Sequence, residues 1–193
     1  MSKELEIEFK NLLAKEEYLK LLASFGYTAA DAQTQINHYF DTEDFQLKTL
    51  HSALRIRNKG NHFECTLKIP ADTGNFEITD KLSEQQAESM LNLKSFEPPE
   101  VLAVLTEKNI NPDKLKLLGS LTTHRIEFNY KDGLLVLDHS EYCGVDDFEV
   151  EFEVNDEKMG QQQFKDFLEE HGIPLRAADK KIARFMKRAE SRL

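Results

Sequence analysis

The chain has 193 residues, 40% hydrophobic, 31% charged and 9% aromatic, with a formal net charge of −10. That composition fits a globular protein with room for one sizeable core or a closed sheet. The acidity argues against general binding to nucleic acid or an anionic membrane, which takes a basic footprint. No apolar run reaches the roughly 18–20 residues of a membrane helix, and the opening residues carry charges where a secretory leader would be apolar. Cys65 and Cys143 stand in no CxxC spacing and read as two thiols of a cytoplasmic protein.

Strict alternation predicts a first strand over 3–10, "KELEIEFK", followed by helical spacing at 15–25 that puts Tyr18, Leu19, Leu22 and Phe25 on one face. Strands are expected at 34–41, 53–58, 61–69 and 75–80, with turn chemistry in "NKGN" (58–61) and "ADTGN" (71–75). Two helices follow, near 83–93 and 98–108, the second opened by Pro98–Pro99. Asn111–Pro112 interrupts the chain before strands at 117–130, 133–140 and 147–154, which are joined through "KDG" and "CG". Helices are then expected at 157–170, with Phe164, Phe167 and Leu168, and at 177–191, with Pro174 just ahead of it. The expectation is an α+β protein, one domain over 1–193, with a helical insertion at 83–110 and C-terminal helices at 157–191.

Any single strand of this kind reads most simply as half-buried, with its charges in water. Three features of the set oppose that. The charges sort by strand, acidic in "KELEIEFK" and "FEVEFEV" and basic in "RIR", "TLK" and "HRIEF". An apolar barrel interior would leave the helices' apolar faces nothing to pack on. Carboxylates spaced roughly 7 Å apart along a strand also need compensating cations. Turning the sheet inside out resolves all three: a closed eight-stranded antiparallel barrel, charged inside and jacketed by helices. Such an interior holds side chains or one small ligand. Acids on one wall and bases on another suit a divalent cation, Mg²⁺ or Mn²⁺, with a highly charged anion.

The sequence resembles the CYTH domain, also called the triphosphate tunnel metalloenzyme family. "EIEFK" places Glu6, Glu8 and Lys10 in its E-x-E-x-K arrangement. "NHYFDT" (37–42), "HSALRIR" (51–57), "TLK" (66–68), Glu77, "HR" (124–125), "LD" (137–138), "EVEFEV" (149–154) and "KKIAR" (180–184) follow in family order. The resemblance runs from about 3 to 188 and looks closest to a small bacterial branch often labelled as adenylate cyclases. It implies a tunnel that binds a triphosphate with divalent metal. Lys10, Arg55, Arg57, Lys68, Arg125 and Lys181 would hold phosphate, and Arg184 shares a helix face with Lys181. Glu6, Glu8, Glu149 and Glu151 would hold metal, with Glu77, Asp138 and Glu153 assisting, and the catalytic set is Lys10, Arg57 and Glu8. By strand parity Asp138 shares a face with Leu134 and Val136, and Lys180 stands beside Lys181 as an alternative ligand.

The expected activity is metal-dependent hydrolysis of an inorganic, organic or nucleoside triphosphate. The alternatives are cyclisation of ATP or a module that binds polyphosphate without turnover. The six histidines show no H-E-x-x-H spacing and read as structural or solvent-facing. Neither a Gly-rich phosphate loop nor a G-x-S-x-G elbow is present.

Overall fold

A computed structural model describes residues 3–190. The eight strands are β1 (Lys3–Leu13), β2 (Gln33–Thr42), β3 (Ala53–Lys59), β4 (His62–Pro70), β5 (Asn75–Leu82), β6 (Leu115–Tyr130), β7 (Gly133–Tyr142) and β8 (Val145–Val154). The helices are α1 (Lys15–Ser24), α2 (Gln46–Thr49), α3 (Glu84–Leu91), α4 (Pro99–Glu107), α5 (Glu157–Glu170) and α6 (Lys181–Glu190). The strands are hydrogen-bonded in the order β1-β5-β4-β3-β2-β6-β7-β8, which closes a barrel. No described helix is long and apolar enough to cross a membrane.

Every expected strand is present, within a few residues of its expected limits. The last helix departs most from expectation. It starts at Lys181, because 174–180 run without regular structure. Pro174 therefore precedes a loop. Its carbonyl accepts from the Asn11 side-chain amide at 3.1 Å, while Asn11 Oδ1 accepts from the Arg176 backbone N–H at 2.6 Å. Alternation carries no trace of such a docked loop. The one-turn α2 is also unforeseen: Phe45 precedes it with φ 55°, and buried Asp41 accepts from the N–H groups of Leu47 and Lys48 at 2.8 and 3.0 Å.

The chain packs as two compact units. The first comprises the chain up to Leu5 together with Gln35–Leu121, and the second comprises Glu6–Thr34 with the chain from Thr122 onward. In the first unit Leu54, Ile56, Leu67 and Ile78 alternate out of the sheet and are covered by Ala87 and Met90 of α3 and Val101 and Leu105 of α4. The helices start where the sequence supplies caps. Ser83 Oγ accepts from Gln86 N–H, and the Gln86 side chain accepts from Ser83 N–H, a capping box for α3. Asp80, on the outer face of β5, accepts from the N–H groups of Glu100 and Val101 and so caps α4.

In the second unit Leu135, Leu137, Val150 and Phe152 meet Tyr18, Leu21 and Leu22 of α1 and Phe164, Phe167 and Leu168 of α5. Gly160 lets α5 approach closely, since a Cβ there would stand 2.5 Å from a Val154 methyl. β7 and β8 turn through Cys143 and Gly144, both left-handed at φ 47° and 67°, as a tight hairpin requires. In both units the helices lie on the apolar strand face and the charges on the other. In a closed barrel that other face is the interior, the orientation expected from sequence.

Candidate functional site

The second unit gathers acids on its charged face. β7–β8 register sets Asp138 opposite Glu149, Val136 opposite Glu151 and Leu134 opposite Glu153. β1–β8 register sets Lys10 opposite Glu151 and Glu8 opposite Glu153. Asp138 therefore does share a face with Leu134 and Val136, and that face is the charged one. Asp138 and Glu149 are fully buried and Glu151 nearly so. One carboxylate oxygen from each lies within 4.8 Å of the others.

Cations knit this cluster together. Arg125 forks onto Asp138, Nε to Oδ1 at 2.8 Å and Nη2 to Oδ2 at 2.7 Å, and Nη2 also reaches Glu151 at 2.8 Å. Lys181, at the start of α6, contacts Asp138 at 2.7 Å, Glu151 at 2.8 Å and also Glu149. The structure thus seats Lys181 among the acids. One helical turn on, Arg184 donates to Glu149 at 2.5 Å and to Asp147 at 2.9 and 3.1 Å. Lys10 pairs with Glu8 at 2.6 Å.

Burial and charge pull these groups in opposite directions. Burial alone would raise the Asp138 carboxyl, but Arg125 and Lys181 hold it well below the usual carboxylate range. Burial pushes Glu151 up, aided by Asp138 and Glu8 against Arg125 and Lys10. Glu153 is pushed up to about 7 by burial, with Glu6, Glu151 and Glu8 adding to it and Arg125 opposing. Lys181 is drawn down to about 7, chiefly by burial and then by Arg125 and Lys10. Carboxylates whose protons are held this differently within one cluster make it a candidate functional site.

The first unit carries the other bases. Arg57 Nε donates to Asn37 Oδ1 at 2.9 Å, and its Nη1 lies 3.5 Å from Glu64. Lys68 pairs with its cross-strand neighbour Glu77 at 2.5 Å. Arg55 faces Thr66 across β3–β4, and Thr66 meets Thr79 at 3.0 Å. Glu77 is held below its usual range: burial would raise it, and Lys68, Arg55 and Arg57 override that. Glu77 thus serves the bases of the first unit and stands outside the Asp138–Glu149–Glu151 cluster.

Sequence reasoning missed Asp147, Asn37 and Thr79. Asp147 had a signal, for it continues the two-residue row of Glu149, Glu151 and Glu153. Asn37 and Thr79 are uncharged and carry no such mark.

Three buried carboxylates with converging oxygens are a hard-donor set that suits a divalent cation. The cluster also binds three basic side chains, and such acids with fixed cations are what metal-assisted phosphoryl chemistry needs. The sequence matches the CYTH domain over residues 4–186, and the chain belongs to that family. It is 43% identical over 187 residues, 96% of each chain, to YjbK of Bacillus subtilis (strain 168), which is named provisionally as a triphosphatase. A crystal structure from Bacillus halodurans, named provisionally as an adenylate cyclase, is 41% identical with a TM-score of 0.92, covering 96% of this chain and 99% of that one. The Hippeastrum protein HpAC1, a provisionally named adenylyl cyclase described as having a dominant triphosphatase activity, shares the fold at 23% identity and TM-score 0.73, covering 95% and 96%.

Proposed function

We propose that the protein hydrolyses a triphosphate with the help of Mg²⁺ or Mn²⁺. The observation that carries this is the convergence of Asp138, Glu149 and Glu151, buried and held by Arg125, Lys181 and Arg184. The likeness to the Bacillus subtilis triphosphatase-named protein supports it. The family match spans both units, which supports reading the chain as one CYTH domain.

Asp138, Glu149 and Glu151 would hold the metal, joined by Glu6 and Glu8 of β1. When bound, the metal supplies charge stabilisation at the phosphate oxygens and acidifies water. Arg55, Arg57 and Lys68 in the first unit, and Lys10, Arg125, Lys181 and Arg184 in the second, would neutralise and orient the phosphate chain. Glu153, protonated more readily than an ordinary glutamate, would take a proton from attacking water. Glu77 holds Lys68 in place.

Cyclisation of ATP is the second reading, favoured by the name of the Bacillus halodurans relative. It would use the same metal and phosphate groups but would also need a grip on adenosine. Products decide between them. Purified protein with Mg²⁺ or Mn²⁺ is offered tripolyphosphate, ATP and thiamine triphosphate. Orthophosphate release supports hydrolysis, cyclic AMP with pyrophosphate replaces it by cyclisation, and binding without turnover refutes both.

A further inference from the structure

The histidines lack ligand spacing along the sequence, yet strand pairing brings two of them together. His124 of β6 and His139 of β7 are direct cross-strand partners, with ring centroids 5.5 Å apart. They stand on the outer face, opposite to Arg125 and Asp138. Glu141 lies two residues beyond His139 on the same face, and Asp146 of β8 pairs opposite Glu141. His139 is fixed by stacking on Phe148, centroids 4.5 Å apart and planes within 14°. His124 is fixed through Nδ1, 2.9 Å from Thr34 Oγ1.

The free edges of both rings face carboxylates. His124 Nε2 lies 3.2 Å from Glu141 Oε2, and His139 Nε2 lies 3.3 Å from Asp146 Oδ2. Tetrahedral zinc, with bonds of roughly 2.0–2.1 Å, sets neighbouring ligand atoms about 3.3–3.4 Å apart. One donor atom each from His124, His139 and Glu141 fits within a 4.8 Å span. Both rings stand at ion-pair distance from a carboxylate, but only His124 makes a hydrogen bond to its own. The Nε2 of His139 is buried and makes no hydrogen bond, although Asp146 is close by. A proton on that nitrogen has no acceptor in line, and a lone pair there faces a carboxylate, an arrangement that a bridging cation relieves.

We infer that His124, His139 and Glu141 form a surface site for a borderline divalent cation of the zinc class, separate from the interior acids, with Asp146 beside His139 as a further carboxylate. Two imidazoles with a carboxylate favour zinc over hard Mg²⁺ or Ca²⁺. Thr34 plays the outer partner that orients a ligating imidazole. A bound ion would tie β6, β7 and β8 together on the side facing α1.

The test uses the whole chain stripped of metal and dialysed against micromolar Zn²⁺ in excess Mg²⁺, so that the interior oxygens are occupied. The wild type should retain one zinc per chain beyond the amount held by the His124→Gln/His139→Gln double variant. Glu141→Gln, at a side chain 55% exposed and so safe for folding, should weaken zinc at least about tenfold. Co²⁺ in place of zinc should give the intense visible bands of a tetrahedral site in the wild type and lose them in both variants. Orthophosphate release in Mg²⁺ should be unchanged in all three proteins, which keeps this test independent of the proposed hydrolysis. Equal zinc retention by wild type and variants, or none in the wild type, overturns the site.

Discussion

The two units are built on one plan and manage charge in opposite ways. Each covers an apolar strand face with two long helices and turns its charges to the other face. In the first unit Arg57 has a partly wet partner, Glu64 at 37% exposed, while Glu77 turns a buried oxygen to Lys68. In the second unit Asp138 and Glu149 have no exposed surface and each meets at least two cations. A wet charge can exchange a lost partner for water. A buried one cannot, so removing its partner strands an uncompensated ion. The Arg57–Glu64 pair is therefore adjustable, and the Asp138–Glu149 cluster is strongly coupled.

The largest effect expected from this contrast is at the acids. Glu149→Gln should lower triphosphatase activity by at least about a hundredfold and weaken Mg²⁺ binding to match. Asp138→Ala, which strips Arg125 and Lys181 of a shared partner, should also destabilise the fold by about 3–5 kcal/mol in chemical denaturation. If both variants bind Mg²⁺ as the wild type does, the acid cluster is structural and the metal lies elsewhere.

Arg57→Ala is the matching change in the first unit. It removes a charge-assisted contact of about 1.5–3 kcal/mol, so activity should fall roughly ten- to a hundredfold. Glu64 can turn to water, but buried Asn37 loses a donor, so the fold should lose about 1–3 kcal/mol, less than for Asp138→Ala. A loss as large as that of Asp138→Ala would erase the distinction between the units.

How much of this could be read from the chain depends on whether a feature repeats. The strands, and the side each charge takes, were legible because alternation repeats along eight segments and the signs sort by strand. The acid cluster was legible in part. Glu149 and Glu151 stood out in "EVEFEV", whereas Asp138 sits among leucines and valines and only its pairing with Glu149 places it at the centre. The His124–His139 pair was illegible, since fourteen residues and a hairpin separate two positions that register makes adjacent. Loops held by scattered contacts, such as 174–180 on Asn11 and Glu17, leave no periodic trace at all.

The buried face of the second unit should also show in the pH dependence of metal-free stability. Glu153 is raised from 4.5 to about 7, so between those values the folded state holds a proton that the unfolded chain has released. Stability therefore falls as pH rises from about 4.5 to about 7. Lys181 is lowered from 10.5 to about 7, so above 7 the unfolded chain holds the extra proton and stability rises with pH. Denaturation midpoints from pH 5 to 10 should trace a shallow minimum near 7. Glu153→Gln should flatten the acid side of it and Lys181→Met the alkaline side. A monotonic profile that neither variant alters would contradict the burial argument for both groups.

The smallest expected effect lies at an acid that breaks the inside-out rule. Asp80 alternates onto the outer face of β5, between inward-facing Thr79 and Lys81, where parity alone would call for an apolar residue. It is buried because α4 begins above it, and the first free N–H groups of that helix point at its carboxylate. Asp80→Ala removes a cap, and the fold should lose about 1–2 kcal/mol. Asp80→Asn keeps an acceptor oxygen and should lose less. Activity should match the wild type in both, because this carboxylate works on the helix side of the sheet. A fall in activity without a fall in stability would mean that the outer face of the first unit communicates with the charged one, and the division of labour within each sheet would have to be redrawn.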